Sequence, residues 1–361
     1  MKKILLAGLC LVLASAALAE LKMPTLYGKI NKEYRYVKNE TKFKYATNTN
    51  VVDVENSESR LGVKGAYDYD GLKSTYKFEL GLNSTNASAE RIRIRIAEGT
   101  VGNEFGAIVF GQTWMAGEVE AVLHDPLAGT GVSLVGVDQR SMVEGIEDFI
   151  GVEYRGRNDL IGYKSPKFYN FQFSTTVDKN GSASLDDTQT TGKAPTNWQN
   201  CLTYNNKFGD LSLGLTGVYK KRSGAATDKN VSTVGGLKLG YMDFAFTALY
   251  TKYSFETPNG TATKQKTENK HMMASLKYVL LKNNTFALTY GKVEVDTGLT
   301  KALTDKDSTS QIAFGYIRKL GDHLSARVTY ANLKKEYDDA TLETAGGNKG
   351  QIFALGAQIT F

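Results

Sequence analysis

The chain has 361 residues, among them 36 Gly, 20 Tyr, 5 Pro and 2 Cys, and its formal net charge is +6. A mean hydropathy of −0.31 excludes a bundle of transmembrane helices, which needs several apolar runs of about 20 residues. The 41% of hydrophobic residues exclude a disordered chain, and two cysteines are too few for a disulfide-stabilised scaffold. Abundant Gly and Tyr with little Pro favour long β-strands joined by tight turns.

The N-terminus has the pattern of a secretory signal peptide. Two lysines precede an apolar run over 4–17, and an Ala-Leu-Ala triplet ending at Ala19 supplies the cleavage site. We therefore expect residues 1–19 to be removed before Glu20, leaving 20–361 as a single domain. The alternative, a buried N-terminal helix, lacks the polar face that such a helix turns to solvent.

Cleavage changes both the charge and the cysteine count. The lost segment contains two lysines and no acid, so the net charge falls to +4. It also contains Cys10, so Cys201 remains alone and we interpret it as a small packed side chain rather than a reactive thiol.

Segments with period-2 alternation follow one another along the mature chain. The clearest is 91–96, where three Arg alternate with three Ile. Successive side chains of a strand point to opposite faces, so the pattern predicts the Ile side chains on one face and the Arg side chains on the other. The predicted strands are 25–37, 58–69, 72–82, 90–101, 107–112, 150–155, 158–165, 168–177, 198–208, 210–221, 231–241, 243–253, 271–281, 285–295, 308–319, 323–334 and 349–361.

The connections between these strands alternate between short turns and long polar loops. Short turns are rich in Asn, Asp and Gly, which suit tight hairpins. The long loops are 38–56, 83–89, 113–149, 178–197, 222–230, 254–270, 296–309 and 335–348. This alternation predicts an all-β fold, a transmembrane antiparallel up-and-down β-barrel. The 150–155 strand is doubtful because it can belong to the third long loop, and without it the barrel has 16 strands.

A membrane barrel explains the low hydropathy, because only alternate wall residues face lipid and the others face a polar lumen. The alternative is a soluble β-sandwich. It would be unusually large at about 16 strands, and its buried face would have to accommodate the three arginines of 91–96.

Several stretches resemble general diffusion porins of the Gram-negative outer membrane, especially the neisserial and betaproteobacterial type. The resemblance covers the whole mature chain, in the expected order. It rests on Thr25-Leu26-Tyr27-Gly28-Lys29-Ile30, Ser59-Arg60-Leu61-Gly62-Val63-Lys64-Gly65 with Gly71-Leu72-Lys73, Phe105-Gly106 through Phe110-Gly111, Tyr163-Lys164-Ser165-Pro166-Lys167-Phe168 and the terminal Phe361.

The resemblance implies a fold and a set of partners. It implies a homotrimer of 16-stranded barrels, each with the third loop folded into its lumen. It also implies contact with outer-membrane lipid and lipopolysaccharide, and recognition of the C-terminal strand, ending in Phe361, by the barrel-assembly machinery. The family usually has an arginine after the glycine at Gly111, whereas this chain has Gln112, so we expect fewer basic groups there.

The candidate site is a basic face of three neighbouring strands opposed by acids of the third loop. If the Ile side chains of 91–96 face lipid, the arginines face the lumen beside cross-strand basic neighbours. We call this set the basic wall: Arg60, Lys64, Lys73, Lys77, Arg91, Arg93 and Arg95. The opposing acids are expected to be Glu118, Glu120 and Asp125, with the first two favoured because they closely follow a strand. Alternatively, the arginines only pair with acids to hold the loop in place.

These features predict a water-filled pore for passive diffusion of small hydrophilic solutes and ions, with a weak anion preference from the basic wall. The alternatives are a channel specific for a sugar or phosphate, and a barrel acting as an adhesin or an enzyme. An enzyme is disfavoured, because His124 beside Asp125 has no G-x-S-x-G serine and the sequence shows no metal-ligand cluster. No cofactor is expected, and dispersed basic residues nearly matched by acids disfavour nucleic-acid binding.

Overall fold

The computed structural model describes residues 23–41, 44–54, 59–82, 92–134, 157–178, 196–223, 229–259, 263–296, 306–336 and 349–361. The strands are β1 (Thr25–Thr41), β2 (Lys44–Asp53), β3 (Ser59–Tyr69), β4 (Leu72–Leu82), β5 (Ile92–Asn103), β6 (Gly106–Trp114), β7 (Arg157–Lys164), β8 (Phe171–Asp178), β9 (Thr196–Phe208), β10 (Leu211–Ser223), β11 (Lys229–Tyr241), β12 (Phe244–Asn259), β13 (Thr263–Leu280), β14 (Asn284–Asp296), β15 (Lys306–Lys319), β16 (Leu324–Glu336) and β17 (Lys349–Thr360). One short helix, α1 (Glu118–Val122), follows β6. In the part of the chain described, no helix is long and apolar enough to cross a membrane.

These segments form one closed antiparallel barrel. Apart from β2 and β3, each strand pairs with its neighbour along the chain, and β1 pairs with β17 to close the sheet. Residues 32–41 of β1 pair with β2, and residues 25–29 of β1 pair with β3. β2 and β3 therefore lie end to end as one wall strand, and seventeen segments make the predicted 16-stranded barrel. The fold prediction is confirmed.

Two of the predicted long loops are largely strand. The 38–56 segment contains the end of β1 and all of β2, and most of 254–270 continues the β12–β13 hairpin. Both predictions were wrong because these hairpins are rich in Thr, Asn and Lys, residues that also dominate loops. A hairpin extending beyond lipid has water on both faces and needs no apolar alternation. The doubtful strand at 150–155 lies outside the described residues.

A β-bulge in β5 interrupts the alternation of Arg and Ile. The register with β4 shifts between Glu79, which pairs with Ile96, and Leu80, which pairs with Ile94. Arg95 is the extra residue. A bulge turns the side chains beyond it to the other face. Ile92 and Ile94 are exposed on the outside, as predicted, but Ile96 is 2% exposed and shares the inner register of Glu79. The expectation that all three Ile side chains face lipid was wrong.

The end of the chain completes the closure of the barrel. The backbone N–H of Phe361 donates to the carbonyl of Gly28, and the Gly28 N–H donates to the carbonyl of Phe361, at 3.1 and 2.9 Å. The Phe361 ring covers Gly28, where a Cβ would lie 2.5 Å from its Cζ atom. Glycine at this position therefore lets the terminal aromatic ring lie flat against β1.

Candidate functional site

The inner face of β3–β5 gathers much of the predicted basic wall around one buried carboxylate, Glu79. Arg95 Nε donates to Glu79 Oε1 at 2.7 Å and Arg60 Nη1 to the same oxygen at 3.2 Å. Lys77 Nζ lies 3.8 Å from Glu79 Oε2, which also accepts a hydrogen bond from the Tyr27 hydroxyl. These pairs lie within the wall, so part of the basic wall is neutralised by its own strand and not by the third loop.

The other members of the basic wall lie around this cluster. Arg93 and Lys64 have exposed side chains and stand in register with Gly81 and Lys77 on the inner face of β4. Lys64 Nζ lies 5.5 Å from the centre of the Tyr27 ring, within cation–π range. Lys73 is opposite Asp68 beside a short turn, at the rim. Arg91 lies outside the described residues.

Gln112, at the position where the resemblance implies an arginine, supports the β-bulge of β5. It stands in register with Ala97, on the outer side of the wall, and its Nε2 donates to the carbonyl of Ile94 at 2.9 Å. The side chain thus supports the backbone beside Arg95 and does not leave a gap in the inner basic face.

The third loop lies against the inside of the barrel, where its contacts run from β8 through β17 to β1. We call its described part, residues 115–134, the lumen loop. Its apolar residues form two buried clusters with inward side chains of β1 and β9–β17. The first contains Ala116, Ala121, Leu134, Cys201, Val218, Val234, Leu249, Met273 and Val293, and the second contains Val37, Leu127, Val132, Ala287, Ala313, Ala331, Leu333 and Ile352. Burial of these surfaces holds the loop against these strands.

Cys201 belongs to the first cluster, where it is buried beneath Gly117 of the lumen loop. This placement agrees with the interpretation of Cys201 as a small packed side chain. Among the described residues, no group of three His, Cys, Asp or Glu side chains is arranged to hold a metal ion.

The structure separates the three candidate acids of the loop. Glu118 is fully buried and its Oε1 lies 3.6 Å from Lys220 Nζ on β10. Asp125 accepts hydrogen bonds from Leu127 N, Ser133 Oγ and Leu134 N at 2.9, 2.7 and 2.8 Å. The Glu118 carboxylate therefore interacts with the barrel wall behind α1, and the Asp125 carboxylate stabilises the lumen loop itself. Glu120 is the one of the three with a partly exposed side chain.

A buried polar network joins the far end of the lumen loop to β1 and β16. Glu33 accepts from Arg35 Nε at 2.9 Å, from Arg327 Nε at 2.7 Å and from the Gly131 N–H at 2.9 Å. Asn31 donates to the Gly129 carbonyl at 3.2 Å and accepts from Arg327 at 2.6 Å. This network was not predicted from the sequence. Its only local sign is the alternation of Glu33 and Arg35 with Tyr34.

His124 is buried between α1 and the barrel wall. Its Nδ1 lies 2.9 Å from the Glu120 carbonyl, and the Thr247 hydroxyl of β12 donates to its carbonyl oxygen. Its ring lies over Gly236 of β11. Burial, and secondarily the positive charge of Lys238, lower the pKa of His124 to about 4. The imidazole is therefore neutral at neutral pH.

The arrangement leaves a polar channel beside the lumen loop. On one side are the basic residues of β3–β5, and on the other is the lumen loop with its acids largely buried. Such a channel acts on permeating ions through the net charge of its exposed groups.

Comparison with known proteins agrees with the barrel fold. A sequence model of the family described as "Gram-negative porin" matches residues 5–339. No curated protein sequence matches the chain.

Solved structures share the fold at low sequence identity. The anion-selective porin from Comamonas acidovorans superposes with a TM-score of 0.69 at 18% identity, covering 94% of this chain and 99% of that one. The outer-membrane channel DcaP of Acinetobacter baumannii gives 0.66 at 16% identity, covering 94% and 97%. The trimer form of OmpT from Vibrio cholerae gives 0.63 at 13% identity, covering 94% and 99%.

Proposed function

The chain belongs to the Gram-negative porin family, and on that basis we propose that it forms a diffusion channel of the outer membrane with a weak preference for anions. Small hydrophilic solutes and ions pass through the lumen without a reaction. Family and fold indicate a channel rather than an enzyme.

One observation carries the anion preference, namely the unequal exposure of the charges along the channel. Lys64 and Arg93 are exposed on the inner face, whereas Glu118 and Asp125 of the lumen loop are buried. The mature charge of +4 agrees in sign. The Comamonas neighbour is itself an anion-selective porin, which supports the same direction.

The test is the reversal potential of the purified, detergent-folded protein in a planar bilayer under a salt gradient. We expect steady ohmic conductance and a reversal potential whose sign shows that anions are more permeant than cations. A cation-selective pore contradicts the anion preference. The absence of steady conductance contradicts the channel itself and favours an adhesin-like barrel.

A channel specific for a sugar or phosphate is the second candidate. The seating of the lumen loop leaves a narrowed passage, which could hold such a solute. Saturation of its flux and ligand-dependent block of ion current would identify this function, whereas linear flux supports general diffusion.

The assembled state is also a proposal. We infer cleavage between Ala19 and Glu20, a homotrimer in contact with lipid and lipopolysaccharide, and recognition of the C-terminal strand by the barrel-assembly machinery. The trimer form of OmpT and the fixed position of Phe361 at the closure of the barrel support this inference. Mass spectrometry of the mature N-terminus and of the native oligomer tests the first two points.

A further inference from the structure

Two apolar side chains, one in α1 and one directly after it, are exposed inside the barrel. Val119 is 42% exposed and Leu123, in the turn directly after the helix, is 61% exposed. They are four residues apart, so they lie on the same side of this helical segment. The opposite side buries Glu118 and Ala121 against the wall. The exposed pair therefore faces the open part of the lumen.

The open part of the lumen is bounded on its other side by the basic wall. α1 contacts β10 through Lys220, and the residue that follows Leu123 contacts β11 and β12. In a sixteen-stranded barrel, β4 and β12 are eight strands apart in either direction, so they lie across the lumen from each other. Lys64 and Arg93, on the strands flanking β4, thus lie on the side of the barrel opposite Val119 and Leu123.

This arrangement offers a permeating molecule two different surfaces. One is cationic and hydrated, and the other is a small hydrocarbon patch. An inorganic anion gains only from the cationic surface. An anion with a short hydrocarbon tail can place its charged end toward Lys64 and Arg93 while its tail contacts Val119 and Leu123, which removes apolar surface from water.

We propose that this channel selects small monocarboxylates with a short apolar tail over inorganic anions and over shorter carboxylates. This inference rests on the proposed function and specifies its substrate class. A partial contact of one or two methylene groups corresponds to a permeability gain of about threefold, because a fully buried methylene contributes about 0.8 kcal/mol.

The test is a series of bi-ionic reversal potentials in planar bilayers, with potassium chloride on one side and potassium acetate, propionate or butyrate on the other. Aqueous mobility falls along this series. We expect the permeability relative to chloride to rise by about threefold from acetate to butyrate. A ratio that falls with chain length, as mobility does, overturns the inference.

The variant Val119→Ser with Leu123→Ser removes the patch without touching a buried residue. We expect this double variant to conduct chloride as the unaltered protein does. Its relative permeabilities should fall from acetate to propionate to butyrate, as their aqueous mobilities do. The matched control is Leu281→Ser, in an exposed turn 79% accessible and outside the lumen, which should retain the preference for butyrate. A double variant that keeps this preference overturns the inference. Cation selectivity or absent conductance in the unaltered protein overturns the proposed function as well, so the two failures are distinguishable.

Discussion

Arg327 on β16 donates its Nε–H to Glu33 on β1 across 2.7 Å, although the two residues are 294 positions apart in the chain. Both side chains are buried, and the same carboxylate accepts the Gly131 N–H of the lumen loop. One carboxylate therefore links the closure of the barrel to the position of the loop.

Replacing Glu33 with Gln should loosen the lumen loop. Arg35 and Arg327 would lose their buried counter-charge, and removing one partner of a buried ion pair typically costs about 3–5 kcal/mol. We expect a lower unfolding temperature and a noisier or larger single-channel conductance. The control is Glu336→Gln, because the Lys334–Glu336 pair is half-exposed and should contribute little. Unchanged stability and conductance in E33Q would contradict this role.

Reversing the exposed basic charges should reverse the preference for anions. In Lys64→Glu with Arg93→Glu, each close charge acts through water with about 1 kcal/mol at 4 Å, which is about fivefold in relative permeability. We expect the anion-to-cation permeability ratio to fall by at least this factor in 0.1 M salt, and less in 1 M salt because of screening. Lys282→Glu, which makes the same kind of charge reversal at a single residue in a short turn, is the control. A ratio that stays constant would show that other residues set the selectivity.

Acidification should release the lumen loop through His124. Its pKa is lowered to about 4 in the folded state, chiefly by burial and then by Lys238, against 6.5 in an unfolded chain. A depressed histidine pKa means that the packed state disfavours the proton. The stability of the packed loop is therefore full above about pH 6.5 and declines as the pH falls toward 4.

The measurement is conductance noise and amplitude between pH 7 and pH 4. Lys238 on β11 and Glu120 on α1 are the charged groups that act on this region, so the same titration of His124→Gln isolates the histidine. We expect H124Q to lose the part of the pH dependence above pH 4.5. An identical pH profile in both proteins would assign the change to carboxylates.

Adjacent glycines of β11 provide a matched test of the loop position. A Cβ on Gly236 would lie inside van der Waals contact with His124 Nε2, whereas a Cβ on Gly235 meets nothing within 4 Å. Gly236→Ala should cost about 1–3 kcal/mol of stability by overpacking and shift the loop. Gly235→Ala should be close to neutral. Equal effects of the two variants on unfolding temperature would argue against close packing at this point.

The strand count and the inner basic face could be predicted from the sequence, because both follow from the two-residue period of a strand. The position of Ile96 could not, because a bulge at Arg95 changes the register only through pairing with β4. In the sequence, Arg and Ile alternate without interruption through residue 96. In the structure, the alternation of inward and outward side chains is interrupted at Arg95.

The roles of the loop acids could not be predicted for a different reason. Glu118 is buried against the wall beside Lys220, which comes about 100 residues later in the chain. Asp125 is buried in a turn of the lumen loop, whose backbone it binds. A list of acids in a loop does not show which of them fold back on their own backbone. The Glu33–Arg327 pair was missed because it joins the first strand to the last but one.

The contacts of the lumen loop also imply an order of maturation. Leu127 lies against Gly315, and Gln311 donates to the Val132 carbonyl at 2.8 Å, so residues near 130 need partners that are about 180 positions further along the chain. Gly131 additionally needs Glu33, whose environment is complete only when β16 and β17 have joined β1. Such long-range contacts form late, because the intervening chain must be ordered first. The passage therefore acquires its final width only after the last hairpin is in place, and a barrel arrested before closure would conduct differently from the finished one.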